Sequence, residues 1–249
     1  MAAASSKIPI IDFSVAGLEP GTSLWFSTCQ QVCNALEEHG FFEAIYSHDM
    51  FLPNLHKKIF DVVKELYDLP TEIKKKNRSR PGRDYYSDNQ LHEGMGIDSA
   101  DTLQGVQNFT TLMWPNGNHQ FSENAYKVTN IIKTLDQKVV RMVLDYYGTE
   151  KQYDSLIKST NYTLREALIV WSNGKIRPAP HQVIANGDKE RYSIGLFMFN
   201  EGVICVPDEL VGHKTPLRYK PLDHPDYVKQ VMYFAEKKME YPVEEYCGI

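Results

Sequence analysis

A chain of 249 residues with 42% hydrophobic and 24% charged residues has material for one sizeable core. A formal net charge of −5 excludes a broad basic surface for nucleic acid, and no apolar run reaches the length of a membrane span. The opening Met1 to Lys7 lacks the apolar core of a signal peptide, and four cysteines form no metal-finger spacing. A cytoplasmic chain with free thiols and no membrane or nucleic-acid partner is expected.

The first two-thirds reads as mainly helical. Ile8 to Phe13 has the chemistry of an opening strand. Trp25, Cys29, Val32, Cys33 and Leu36 recur at helical spacing before Gly40, which makes both cysteines core residues. Phe41 to Ile45 reads as a strand. Leu52, Leu55, Ile59, Val63 and Leu66 form a second stripe, ended by Pro70. Lys74 to Arg83 is basic and rich in breakers, so it reads as a solvated loop, with an anion-binding lid as the functional alternative. The strongest helix runs from Val128 through Ile131, Ile132, Leu135, Val139, Met142 and Val143 to Tyr146, and Gly148 stops it.

The character changes near Ser159. Strands are expected at Asn161–Arg165, Ala167–Trp171, Tyr192–Phe199 and Val203–Val206, with Asn173-Gly174 and Asn186-Gly187 as hairpin turns. A last helix is expected over Pro225–Lys238. Two regions follow, 1–158 mainly helical and 159–249 mainly strand, in an α+β architecture.

Candidate chemistry is concentrated in Pro180-His181-Gln182-Val183 and Arg191-Tyr192-Ser193. Residues i and i+2 of a strand share a face, so the Arg191 fork and the Ser193 hydroxyl suit one carboxylate together. An internal salt bridge and a hydroxyl contact would use the same pair. His181 is a metal-ligand type, although a lone strand histidine is more often a hydrogen-bonded core or edge residue. An iron site of two histidines and a carboxylate needs two further ligands. His224-Pro225-Asp226 has His-x-Asp spacing, but Asp223 and Pro225 read as the cap and first turn of a helix. His48, Asp49, His92 and His119 fall in turns or polar loops and should face solvent. Trp171, Phe197 and Phe199 read as core.

Several short pieces, in order, carry a family resemblance. They include Leu18-Glu-Pro-Gly21, Ala35-Leu-Glu37, Gly40-Phe-Phe-Glu-Ala44, Gly94-Met-Gly-Ile-Asp98, Leu112-Met-Trp-Pro115, Ser159-Thr-Asn-Tyr162, Trp171-Ser-Asn-Gly174, Arg191-Tyr-Ser-Ile-Gly-Leu-Phe197 and Tyr246-Cys-Gly248. The ordered set resembles the plant 2-oxoglutarate- and iron(II)-dependent dioxygenases, in the branch of glucosinolate side-chain enzymes and deoxypodophyllotoxin synthase. The resemblance spans Ile8 to Ile249. It implies a helical shell packed on a double-stranded β-helix (jelly roll), Fe(II) and 2-oxoglutarate as cofactors, and a small-molecule plant specialised metabolite as substrate. By resemblance His181 matches the distal iron-binding histidine. Arg191 and Ser193 match the pair that grips the far carboxylate of 2-oxoglutarate, and Tyr162 sits where the family often has a tyrosine near that cosubstrate. Gln182 stands where arginine is usual.

One departure matters more than these matches. In the family, the strand equivalent to Asn161–Arg165 is followed by strands carrying a His-x-Asp pair of iron ligands. Here Arg165 passes directly into Glu166–Trp171, which resembles a strand far downstream, so about 60 residues are expected to be absent, enough for several strands. The implied jelly roll is then incomplete, turnover is lost, and exposed strands invite self-association. The alternative is a non-catalytic splice product or relic acting through protein association.

Overall fold

The computed structural model describes residues 7–46, 54–77, 86–89, 92–158, 160–161, 165–179, 181, 190–197, 199–200, 202–239 and 241–249. The chain opens on β1 (Ile10–Asp12), which pairs in parallel with β2 (Glu43–Ile45), Ile10 facing Glu43 and Asp12 facing Ile45. Between them runs α1 (Ser23–Glu38). The Thr22 side chain accepts the Trp25 N–H at 3.1 Å, closing the N-terminus. The expected stripe of Trp25, Cys29, Val32, Cys33 and Leu36 is buried. Gly40, at φ 77°, turns the chain out of the helix.

Next comes α2 (Leu55–Tyr67), burying Leu55, Ile59, Val62, Val63 and Leu66. Pro70 then leads into the short α3 (Thr71–Lys74). The solvated-loop reading fails at Lys74. Its side chain is 7% exposed, donates to the Tyr67 carbonyl at 2.7 Å and pairs with Glu93. Glu93 lies on the hairpin of β3 (Ser87–Asn89) and β4 (His92–Gly94) and also accepts from the Tyr86 hydroxyl at 2.9 Å. A buried lysine is tolerated because both its hydrogen-bond partners are fixed. Residues 78–85 of the basic stretch lie outside the described residues.

Thr102 caps α4 (Leu103–Met113), a helix the sequence reading did not identify. The long α5 (His119–Tyr147) begins nine residues before Val128, capped by Asn118, and ends at Gly148 in the left-handed conformation. At 29 residues it spans about 44 Å. It joins two apolar clusters. One holds α2, α4 and the first half of α5. The other holds α1, the second half of α5 and C-terminal residues including Val170, Ile204, Leu222 and Phe234.

Beyond α6 (Tyr153–Lys158), the two-residue β5 (Thr160–Asn161) is followed by α7 (Arg165–Trp171). The strand expected at Ala167–Trp171 is therefore a helix. A short apolar run does not separate the two by periodicity, and its terminator decides: Asn173 (φ 54°) and Gly174 (φ 81°) are left-handed, and the Gly174 N–H donates to the Ile169 carbonyl at 2.7 Å. Asn173-Gly174 thus ends a helix rather than turning a hairpin; Asn186-Gly187 lies outside the described residues.

Of the strand expected over Tyr192–Phe199, only Phe199 joins a ladder, as part of β6 (Phe199–Asn200), which pairs antiparallel with β5. Residues 191–197 have no strand partner among the described residues, and Phe197 is 60% exposed rather than core. The strand expected at Val203–Val206 shortens to β7 (Val203–Ile204), paired with β8 (Leu222–Asp223). Then α8 (His224–Glu236) and α9 (Pro242–Cys247) close the chain. Among the described residues the strands form four separate two-stranded ladders beside a helical majority.

Candidate functional site

The chain reaches the candidate site through a locked connection. The Ser172 hydroxyl accepts the Ile176 N–H at 2.9 Å. The buried Asn173 amide donates to the Pro216 carbonyl at 3.0 Å and accepts the Arg218 N–H at 2.9 Å, fastening the end of α7 to the 210–218 loop. Residues 177–179 then cross the end of α1 at Gly40. A Cβ there would meet the Arg177 carbonyl and stand 2.7 Å from the Ala179 nitrogen, so only glycine permits the crossing.

His181 follows immediately and is exposed. Its Nδ1 lies 3.1 Å from the Ala179 carbonyl, an acceptor, so Nδ1 is the nitrogen that donates in this contact. Arg191 and Ser193 are both exposed, while Tyr192 between them is half-buried against Tyr67, ring centroids 5.9 Å apart. The alternation expected of an extended chain is therefore kept, but the strand ladder meant to hold the two side chains is absent among the described residues. Arg191 makes no ion pair with a described residue. Tyr162 and Gln182 lie outside the described residues.

No other described residues complete a metal site. Among them, no group of three or more histidine, cysteine, aspartate or glutamate side chains is arranged to hold a metal ion. The described residues therefore do not assemble the donor set that a three-ligand Fe(II) centre requires, and no chemical step is derived through iron. His224 and Asp226 take the helix-start role expected of them. Asp223 accepts the Asp226 N–H at 3.0 Å, His224 is 1% exposed, and the Asp226 carboxylate accepts from Tyr246 at 2.8 Å and Gln230 at 3.0 Å. His92 and His119 are exposed, as expected; His48 and Asp49 lie outside the described residues.

Three polar features of the helical part escaped the sequence reading. Asp145 accepts from the Trp25 indole at 2.8 Å and from Arg141 at 2.8 Å, tying α1 to α5. Glu37, Glu38, Tyr146, Tyr147, Lys175, Glu209 and Leu210 line an open groove of about 790 Å³. There burial and the Glu37 carboxylate push the Tyr147 hydroxyl far above its usual range, and the Lys175 ammonium sits 4.9 Å from the Tyr147 ring centroid. Third, Asp136 in mid-α5 has a buried oxygen without a hydrogen-bond partner, and burial raises its carboxyl to about 7. Only Asp136 left a trace in the sequence, as an acid inside the apolar stripe Ile132–Val140. Burial pushes the Cys33 thiol above its ordinary range and Cys29 to about 11, so both are inert packing groups.

Comparison with known proteins supplies the remaining observations. A family profile described as non-haem dioxygenase in morphine synthesis N-terminal matches residues 8–124. A protein of Arabidopsis thaliana called probable 2-oxoglutarate-dependent dioxygenase AOP1 is 28% identical over 291 residues, taking in 90% of this chain and 96% of the relative. Another, called probable inactive 2-oxoglutarate-dependent dioxygenase AOP2, is 35% identical over 173 residues, 68% of this chain but 43% of the relative. The crystal structure of a rice dioxygenase for auxin oxidation superimposes with a TM-score of 0.71 at 17% identity, over 98% of this chain and 100% of that one. At that identity the likeness establishes the fold alone.

Proposed function

Because this chain belongs to the plant 2-oxoglutarate- and Fe(II)-dependent dioxygenase family, we propose that it is a member that keeps the helical shell but has lost the iron site, and with it turnover. One observation carries this reading. The alignment with the AOP1 relative runs over 291 positions, yet 90% of this 249-residue chain is only about 224 residues. The difference leaves about 67 positions of that alignment without a residue from this chain, a number similar to the roughly 60 residues expected to be absent.

In this reading residues 1–158 are the shell and residues 159–249 a truncated jelly roll in a cytoplasmic protein. Among the described residues no helix is long and apolar enough to cross a membrane. His181 is the remnant distal ligand. Arg191, Ser193 and Tyr162 are the remnant cosubstrate contacts, able to hold the far carboxylate of 2-oxoglutarate without iron. The substrate class inherited from the family is a small plant metabolite, in line with a related structure that holds 2-oxoglutarate, iron and JA. A second reading, action by protein association, is favoured by apolar side chains exposed on and beside the β1–β2 ladder (Ile8, Ile10, Phe41 and Ile45) and at Phe197.

The test is succinate formation by purified protein given Fe(II), 2-oxoglutarate, ascorbate and candidate substrates. No succinate above a metal-free control is expected. Sustained turnover that disappears in His181→Ala would mean the iron site is complete and the proposal wrong.

A further inference from the structure

The register of the β5–β6 ladder leaves one stretch of chain without the neighbour it is aligned for. Thr160 faces Asn200 and Asn161 faces Phe199, so the same register would set Arg165 opposite Gly195 and Ile169 opposite Arg191. Residues Arg165–Trp171 are α7 instead. Residues 191–197 accordingly run without turn, bend or ladder, and their backbone groups bond to no described residue. One face of the stretch carries the half-buried Tyr192 and Leu196, with Ile194 between them 39% exposed. The other presents Arg191, Ser193, Gly195 and Phe197 to solvent, with the Phe197 ring 3.2 Å from where a Gly195 Cβ would stand. Those contacts are what alternation along an extended strand produces.

We propose that residues 191–197 are a dimerisation strand, with two copies of this chain pairing antiparallel about a two-fold axis at Ile194. The inference rests on the association reading above and gives it a surface. The segment is complementary to itself in this register. Ile194 meets Ile194 of the partner subunit, Ser193 meets the partner's Gly195, Tyr192 meets the partner's Leu196, and Arg191 meets the partner's Phe197. The pairs are thus aliphatic on the axis, aromatic against aliphatic, and a guanidinium over an aromatic ring; no like charges oppose. The N–H and C=O groups of the edge, which bond to no described residue, become a ladder, and the two-fold arrangement closes the assembly at two chains.

Register-specific cross-linking tests this. Cys205 is the exposed cysteine, while Cys29, Cys33 and Cys247 are buried, so the variants are made in a Cys205→Ser background. Ile194→Cys should give a disulfide-linked dimer on mild oxidation. Arg191→Cys alone and Phe197→Cys alone should not, because each lies six positions, about 20 Å, from its own copy. An equimolar mixture of those two variants should cross-link. Antiparallel pairs alternate between hydrogen-bonded and non-hydrogen-bonded, so the axis pair and the 191–197 pair are of opposite kinds. One of the two therefore offers the closer geometry a disulfide favours. Ile194→Pro should raise the dimer dissociation constant about tenfold or more in sedimentation equilibrium, since proline cannot donate to the ladder.

A monomer at every concentration overturns the pairing and the association reading together. A dimer indifferent to Ile194→Pro, or one cross-linked equally by Arg191→Cys alone, overturns this strand and leaves association through another surface standing. Succinate formed by the same preparations would count against the proposed loss of turnover and would not touch the pairing.

Discussion

The cluster of α2, α4 and the first half of α5 and the stretch from α7 to β7 respond differently to the same constraint. In the cluster the backbone groups bond within their own helices or to the caps at their ends, and Val106, Phe109, Met113 and Phe121 find partners among nearby helices. From α7 to β7 the candidate functional residues depend on strands, whose backbone groups need a neighbour from elsewhere in the chain. Where that neighbour is a helix, residues 191–197 stay extended but join no ladder among the described residues. A helix that loses a neighbour loses side-chain contacts. A strand loses its backbone partners as well.

Substitutions can break this contrast at either end. The largest effect is expected at Trp25, 1% exposed and bonded to Asp145. Trp25→Ala should cost about 3–5 kcal/mol in denaturant unfolding, whereas Ser193→Ala, on the exposed stretch, should stay within about 0.5 kcal/mol. Equal losses at the two sites would remove the distinction. Gly40→Ala comes next. It combines a positive φ with the crossing of residues 177–179, and a loss of about 2–4 kcal/mol is expected. A neutral effect would show that the path to His181 is not held at Gly40.

Asp136 sharpens the comparison from inside the helical half. Its carboxyl stands at 3.8 in the unfolded chain and about 7 when folded. Well below pH 3.8 both states carry the proton, and stability does not depend on it. Between pH 4 and pH 7 the unfolded chain ionises while the folded one stays protonated, so stability falls as pH rises through that window. Asp136→Leu should therefore stabilise the protein by about 4 kcal/mol more at pH 8 than at pH 3.5, measured by thermal or urea unfolding. A pH-independent difference would mean that water reaches the carboxylate. The smallest effect belongs to the carboxylate grip. Any 2-oxoglutarate binding measured by calorimetry should be weak and should weaken by a further 1.5–3 kcal/mol or so in Arg191→Ala. Binding untouched by that substitution would remove Arg191 from the proposed pocket.

The same contrast explains what could be read in the residues. The stripes of α1, α2 and α5 were legible because a helix's periodicity is local, and Gly148 marked the end of α5. The α4 stripe of Val106, Phe109, Thr110 and Met113 was present but was passed over between turns. Ala167–Trp171 was misread because five apolar residues fit a buried helix or a buried strand, and only the cap at Asn173 and Gly174 decides. Lys74 was hidden inside a charge run, since its burial depends on Glu93 across a turn of chain. His181, Arg191 and Ser193 were recognisable as chemical types. Their arrangement was not, because the ladder that would hold Arg191 and Ser193 needs pairing beyond the local sequence pattern, and the register of β5 and β6 leads to a helix.

Anaerobic Fe(II) titration in the presence of 2-oxoglutarate, followed calorimetrically, tests the loss of the iron site most directly. One histidine without two further ligands should give no saturable site at micromolar metal. One-to-one binding at micromolar Fe(II), abolished by His181→Ala, would show a complete ligand set and contradict the account.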